Sequence, residues 1–218
     1  EFQVSVGQVA YYKSLLAEAD LEPEMEEHLR ELISQKNYFG VEELLKGQNL
    51  SESLSEAFAE LPQMFGSVEV LEKAKKLTSN PEALFAVKRL EEIYEILKVY
   101  GCEKYIAFDF GMLSKFRYYT GIIFQAYTYG TGEPLIKGGR YNELMKHFGK
   151  PASSIGFAIV VDNLMLALSR QKLTVPSGDK TVVITYAPGE LKKAIQEAIT
   201  LRGEGKKVAL CPKKEEQE

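Results

Sequence analysis

The sequence predicts an α+β fold, on three observations. Apolar residues recur at helical spacing from Leu21 to Tyr100, and alternating, aromatic and β-branched runs fill Lys104 to about Val161. A short strand–helix–strand pattern follows near the end of the chain. In the first stretch, Met25, Leu29, Leu32 and Ile33 share one helical face. Ser53 and Glu56 have capping-box spacing ahead of the stripe Leu54, Phe58 and Leu61, which Pro62 stops. Ser67 is placed to cap a helix carrying Val70, Leu71, Ala74 and Leu77. Asn80-Pro81-Glu82 supplies an N-cap, a first-turn proline and an acid suited to the helix dipole. Leu84, Val87, Leu90, Ile93, Tyr94 and Leu97 continue that stripe to Gly101, a C-terminal cap. Such stripes are read first as packing faces.

The strand stretch opens with the alternation Tyr105 to Phe110. Thr128 to Pro134 is a turn between strands, so a hairpin is expected around it. Ile155 to Val161 reads as a buried strand, and Leu164, Leu166, Ala167 and Leu168 follow on a helix after Asp162. Antiparallel signals make this stretch α+β rather than doubly wound. Residues 171–179, with Pro176, Ser177 and Gly178, read as a linker. Residues 180–218 then give one βαβ unit: a strand from Thr181, a helix from about Gly189 to Leu201 and a strand from Lys207. The resulting division is 1–170, with a helical insertion at about 21–100, then the linker and the βαβ unit.

Composition narrows the function classes. The 218 residues carry 27 Lys+Arg against 31 Asp+Glu, a net charge of −4, which argues against gripping nucleic acid by bulk positive charge. No apolar run approaches the roughly 20 residues that span a bilayer, and Glu1-Phe2-Gln3-Val4 does not begin a secretory signal. The absence of an initiator methionine implies a piece of a longer chain. Cys102 and Cys211 are far apart and read as free thiols in a reducing cytoplasm, with no zinc motif. His28 and His147 have no nucleophile or carboxylate at motif spacing, so they read as ordinary histidines; neither GxGxxG nor a P-loop is present.

One region is dense in both aromatic and glycine residues. Arg117-Tyr118-Tyr119-Thr120-Gly121 is expected to begin a strand, and Gly138-Gly139-Arg140-Tyr141-Asn142-Glu143-Leu144 to follow the next strand. Paired glycines let backbone approach a ligand closely, and tyrosines offer a flat apolar face with a hydroxyl donor or acceptor. From the residues alone, turn glycines and core tyrosines are favoured over a ligand pocket.

Position by position, these blocks, with Gly156-Phe157-Ala158-Ile159, resemble the two histidine-binding motifs and the third class II motif of the histidyl-tRNA synthetase family. Asp109 matches the acidic residue leading into the first block. The resemblance runs from about Phe2 to Leu168 and implies the corresponding part of a class II synthetase-like antiparallel sheet. The first and second class II motifs are absent, so the N-terminal half of the family's length is expected to be missing. Where the family's first block has its adenylating arginine, this chain has Ser114; where the third motif ends in an arginine that grips ATP, it has Asn163. Neither supplies the charge-assisted bidentate contact of a guanidinium.

A histidine pocket without those arginines resembles the ATP phosphoribosyltransferase regulatory subunits, a paralogous family; the segment Gln35 to Leu44 is also similar to theirs. That resemblance implies a non-catalytic cytoplasmic protein with no cofactor, metal or catalytic residue. Its implied partners are the short-form catalytic subunit of the enzyme that opens histidine biosynthesis and free histidine, with self-association expected and neither nucleic acid nor membrane bound. The βαβ unit resembles a vestige of an anticodon-binding domain. The implied histidine contacts are Tyr119 and Tyr141, with Tyr118 beside them and Gly138 and Gly139 leaving room. A divergent histidyl-tRNA synthetase is the rival reading, and a stand-alone histidine-binding module a third.

Overall fold

Phe2–Gln8 (β1) alternates Val4 and Val6 with Ser5 and Gly7, which gives one apolar face and one small, polar face. The helix Val9–Ala19 (α1) follows directly, its first turn capped by the Gln8 side chain accepting from the Ala10 N–H at 3.4 Å. Neither element is among those predicted from apolar spacing. These coordinates belong to a computed structural model that describes residues 1–113, 119–173 and 181–213.

Five helices then come in sequence: Pro23–Ser34 (α2), Tyr38–Leu45 (α3), Glu52–Glu60 (α4), Glu69–Lys76 (α5) and Pro81–Val99 (α6). Their buried residues are largely those of the predicted stripes: Leu29 and Ile33 on α2, Leu54 and Phe58 on α4, Leu71 and Ala74 on α5, Val87 and Leu90 on α6. Asn80 caps α6 as expected, its side chain accepting from the Glu82 and Ala83 N–H groups at 3.0 and 3.2 Å. The cap of α4 differs. Ser51, two residues before the predicted Ser53, accepts from the Leu54 N–H at 3.3 Å. At α5 the cap position is Val68; the predicted Ser67 lies one residue outside, its carbonyl accepting from the Val70 N–H.

Further strands complete one sheet: Phe65–Gly66 (β2), Ile106–Asp109 (β3), Ile122–Thr128 (β4), Ile136–Tyr141 (β5) and Ser154–Ile159 (β6). The order is β2-β3-β1-β4-β5-β6; β1 and β3 are parallel and every other pairing is antiparallel. The expected hairpin is β4–β5, with Gly130 and Gly132 of its turn at positive φ. Residues directly opposed across strands share a face. One face therefore carries the row Phe108, Val6, Phe124, Gly138 and Phe157. The helices pack on its β3–β1 end, where the Tyr94 ring meets Phe108 edge-on at 5.8 Å and Tyr11 meets Phe110 at 4.8 Å.

The other end of that face corrects the expectation of a buried strand at 155–161. Among the described residues β6 is an edge strand beside β5, and Ile155, Phe157 and Ile159 are 67, 65 and 50 % exposed. An unbroken apolar run reads as burial, but the helices are used up covering the opposite end of the sheet. Val161–Arg170 (α7) follows, with Ala167 buried.

The chain divides into the units Glu1–Lys172 and Leu173–Glu218. The second contains Val182–Tyr186 (β7), Leu191–Gly203 (α8) and Val208–Pro212 (β8), with β7 and β8 parallel and Ala194 and Ala198 buried on the helix. Most of the expected linker, from 174 onward, lies outside the described residues. No helix among the described residues is long and apolar enough to cross a membrane.

Candidate functional site

The sheet's other face is built for absence of volume. Gly7 of β1 opposes Ile123 of β4, Ile123 opposes Gly139 of β5, and Gly139 opposes Gly156 of β6. Three glycines therefore stand in one row across four strands, and the space their side chains would fill is taken by other groups. A Cβ on Gly139 would lie 2.6 Å from Cε1 of Tyr119, so that ring lies directly over the backbone. A Cβ on Gly156 would lie 3.0 Å from the Tyr141 hydroxyl, and one on Gly7 would meet the Asp109 carbonyl at 2.8 Å and Met112 Cε at 3.2 Å.

Tyr119, Tyr141 and Gly139 are thus brought together as the sequence anticipates. Gly138 is not with them. Side chains alternate between faces along a strand, so Gly138 belongs to the apolar face, where a Cβ would lie 2.6 Å from the Gly156 carbonyl, from Phe124 Cζ and from Phe157 Cβ. Its lack of a side chain makes room for the Phe124 and Phe157 side chains, on the face opposite Gly139. Tyr118 and Ser114 lie outside the described residues.

The Tyr119-Thr120-Gly121 segment is held along its backbone. Lys13 on α1 donates to the Tyr119 carbonyl at 2.9 Å, the Thr120 N–H donates to the Arg140 carbonyl at 3.0 Å, and the Val9 N–H donates to the Gly121 carbonyl at 3.1 Å. The Thr120 hydroxyl accepts from the Asn142 N–H at 3.0 Å, while Arg140 Nε donates to the Asn142 side chain at 3.1 Å. The motif's threonine, arginine and asparagine therefore lock the two tyrosine-bearing segments to one another. Lys13 was not legible as a site residue, because it lies on a helix distant in sequence. Gly7 had a signal in the alternation of Phe2 to Gln8.

Two further features bear on the chemistry. Asn163, at the start of α7, donates through Nδ2 to the Pro134 carbonyl at 3.1 Å, so its amide fastens the helix to the β4–β5 turn. Tyr127, on the same face as Gln3 and Gln125, donates to the Gln125 side chain at 2.5 Å; burial first, then Asp109 and Glu133, push its phenol up from the ordinary value, keeping it a neutral donor. A glycine floor with phenol rings over it suits a small, flat, polar ring, and a neutral phenol can donate to one nitrogen or accept from another.

The chain matches the family model described as histidyl-tRNA synthetase over residues 1–164, and it belongs to that family. Within it, a protein of Acetivibrio thermocellus named ATP phosphoribosyltransferase regulatory subunit is 37 % identical over 204 residues, 94 % of this chain and 49 % of the relative. A crystal structure from Bacillus halodurans, titled as an ATP phosphoribosyltransferase regulatory subunit/histidyl-tRNA synthetase, is 31 % identical with a TM-score of 0.71, covering 97 % of this chain and 54 % of the other. The fold is also shared, at 19 % identity and a TM-score of 0.55, with a chain of an ATP phosphoribosyl transferase complex from Thermotoga maritima, over 72 % of this chain and 53 % of that one. The chain spans about half the length of the curated relatives it matches.

Proposed function

We propose that the chain is part of a non-catalytic regulatory subunit of ATP phosphoribosyltransferase, which acts at the first step of L-histidine biosynthesis and senses free histidine for feedback inhibition. The names of its relatives support this reading, and so does the family to which the chain belongs. It would work in the cytoplasm, in a hetero-oligomer with the short-form catalytic subunit and with copies of itself. On this reading the six-stranded sheet is a portion of a class II synthetase-like core within residues 1–170, interrupted by the helices at about 21–100. Residues 180–218 are the remnant of an anticodon-binding-like domain.

The observation that carries the histidine site is the pair of rings, Tyr119 over Gly139 and the Tyr141 hydroxyl over Gly156. Tyr119 and Tyr141 would contact the imidazole, with Tyr118 beside them and Gly139 beneath; Gly138 would act only by seating the strands. Adenylation would need guanidinium groups where Ser114 and Asn163 stand, and the Asn163 amide is engaged with Pro134.

Calorimetric titration of the full-length regulatory chain with histidine tests the site. Losing one neutral buried hydrogen bond costs about 0.5–1.5 kcal/mol, so Tyr141→Phe is expected to weaken binding roughly 2- to 12-fold. Unchanged affinity in the variant moves the site elsewhere, and silence in the wild type removes it. Robust ATP–pyrophosphate exchange with histidine would instead favour the synthetase reading.

A further inference from the structure

The end of α2 carries a lysine where the backbone asks for glycine. Lys36 has φ +59°, its N–H donates to the Ile33 carbonyl at 3.0 Å, and the next N–H, of Asn37, donates to the Leu32 carbonyl at 2.9 Å. Those two bonds form a Schellman closure, whose left-handed position is ordinarily glycine because a Cβ is disfavoured there. Asp20 and Lys172 also have positive φ at helix ends, so the conformation alone singles out nothing. What distinguishes Lys36 is the destination of its ammonium. It forms an ion pair with Asp109 Oδ1, at the end of β3 and far along the chain.

Asp109 is largely buried, with its side chain 13 % exposed, and a carboxylate so placed requires partners. The same oxygen accepts from the Gly111 N–H at 2.9 Å, so the lysine and the turn share one acceptor. The junction has no slack: a Cβ on Gly111 would lie 2.6 Å from Lys36 Nζ and 2.8 Å from the Leu61 carbonyl. On its other side, the Asp109 carbonyl and Met112 close over Gly7, one end of the glycine row. From Met112 the sequence continues into the block that ends in Tyr119.

We propose that Lys36 is a positioning residue for the histidine site: through Asp109 it fixes the Asp109–Met112 segment over the Gly7 end of the glycine row, so that the corner between α2 and α3 helps set ligand affinity. This rests on the histidine-site reading given above. A position left strained and occupied by a side chain that reaches a second element is the pattern in which local strain is retained for function.

The test is calorimetric titration of the full-length chain with histidine, alongside thermal melting, for wild type, Lys36→Met, Lys36→Arg and Lys36→Gly. Lys36→Met keeps the aliphatic packing and removes the charge, and is expected to weaken histidine binding roughly 3- to 10-fold, in the range for residues coupled through contact. Lys36→Arg restores the pair and is expected to bind within about 2-fold of wild type. Lys36→Gly relaxes the backbone but has no ammonium, so it is expected to lose affinity as Lys36→Met does with no drop in melting temperature. Unchanged affinity in Lys36→Met overturns the proposal, as does a loss that merely follows melting temperature across the three variants. Absence of binding in the wild type overturns the histidine site itself, and this proposal with it.

Discussion

The two faces of the sheet follow opposite rules, although the same strands supply both. On the helix-packed face, Phe108, Val6 and their neighbours contribute bulk, and their energy comes from water-free contact area. On the other face, Gly7, Gly139 and Gly156 contribute vacancy, which Met112, Tyr119 and Tyr141 take up. Because side chains alternate along a strand, one residue's shift in register would exchange the two sets. A single sequence of strands can thus place stabilising bulk at alternate positions and vacancy at those between, and substitutions should separate the two.

The largest expected effect is on the bulky face. Phe108→Ala should cost about 3–5 kcal/mol of unfolding free energy, because a fully buried ring packed against Tyr94 leaves a cavity. Denaturant titration reads this directly, and a loss below ~1 kcal/mol would mean that the helix-packed face is not the stabilising one. The paired glycines come next. Gly138→Ala drives a Cβ toward the Gly156 carbonyl and should cost about 1–3 kcal/mol of stability by overpacking. Gly139→Ala presses on the Tyr119 ring as well as on the Ile122 carbonyl, so beyond a similar cost in stability it should weaken histidine binding roughly 5- to 150-fold. Equal effects of the two alanines on melting and on binding would erase the distinction between faces.

The smallest effect lies in the helical layer. Burial pushes the Tyr11 and Tyr12 phenols well above their ordinary value, with Glu26 adding to the effect at Tyr12; the Tyr11 hydroxyl donates to the buried Ala74 carbonyl at 2.9 Å. Both are neutral when protonated, and folding favours that form. Their stabilising contribution is therefore complete below about pH 10, the unfolded value, and declines as pH rises past it. Unfolding midpoints between pH 8 and 11 should be level and then fall, with a shallower fall in Tyr11→Phe.

Features with local causes were legible in the sequence. Asn80 and Pro81 announce α6 within three residues, and Leu29 with Ile33 or Leu54 with Phe58 announces a buried stripe within one turn. The two serines near α4 show the limit of that reading: Ser53 has an acid three residues on, yet Ser51 has the extended backbone a cap needs. Long-range circumstances were harder to read. The run Ile155 to Ile159 has the composition of a core strand, and only the sheet order shows it standing at an edge. Tyr119, Gly139 and Tyr141 were found by motif resemblance, whereas the separation of Gly138 from them follows from pleating once the strand register is known. Lys13 and Lys36 act across folds of the chain that no spacing rule connects.

The pairing of β1 has a consequence for the order in which the chain acquires structure. Phe2 to Gln8 lie in the middle of the sheet, yet their partners, Ile106 to Phe108 on one side and Ile122 to Thr128 on the other, come after the helices α1 to α6. Closing so long a loop carries an entropic penalty that local contacts do not, and folding rates fall as contacts become more distant in sequence. The helices between can form from neighbours as they emerge from the ribosome, while β1 waits with both edges unpaired. The glycine row, which runs across β1, β4, β5 and β6, assembles only when these long-range pairings form.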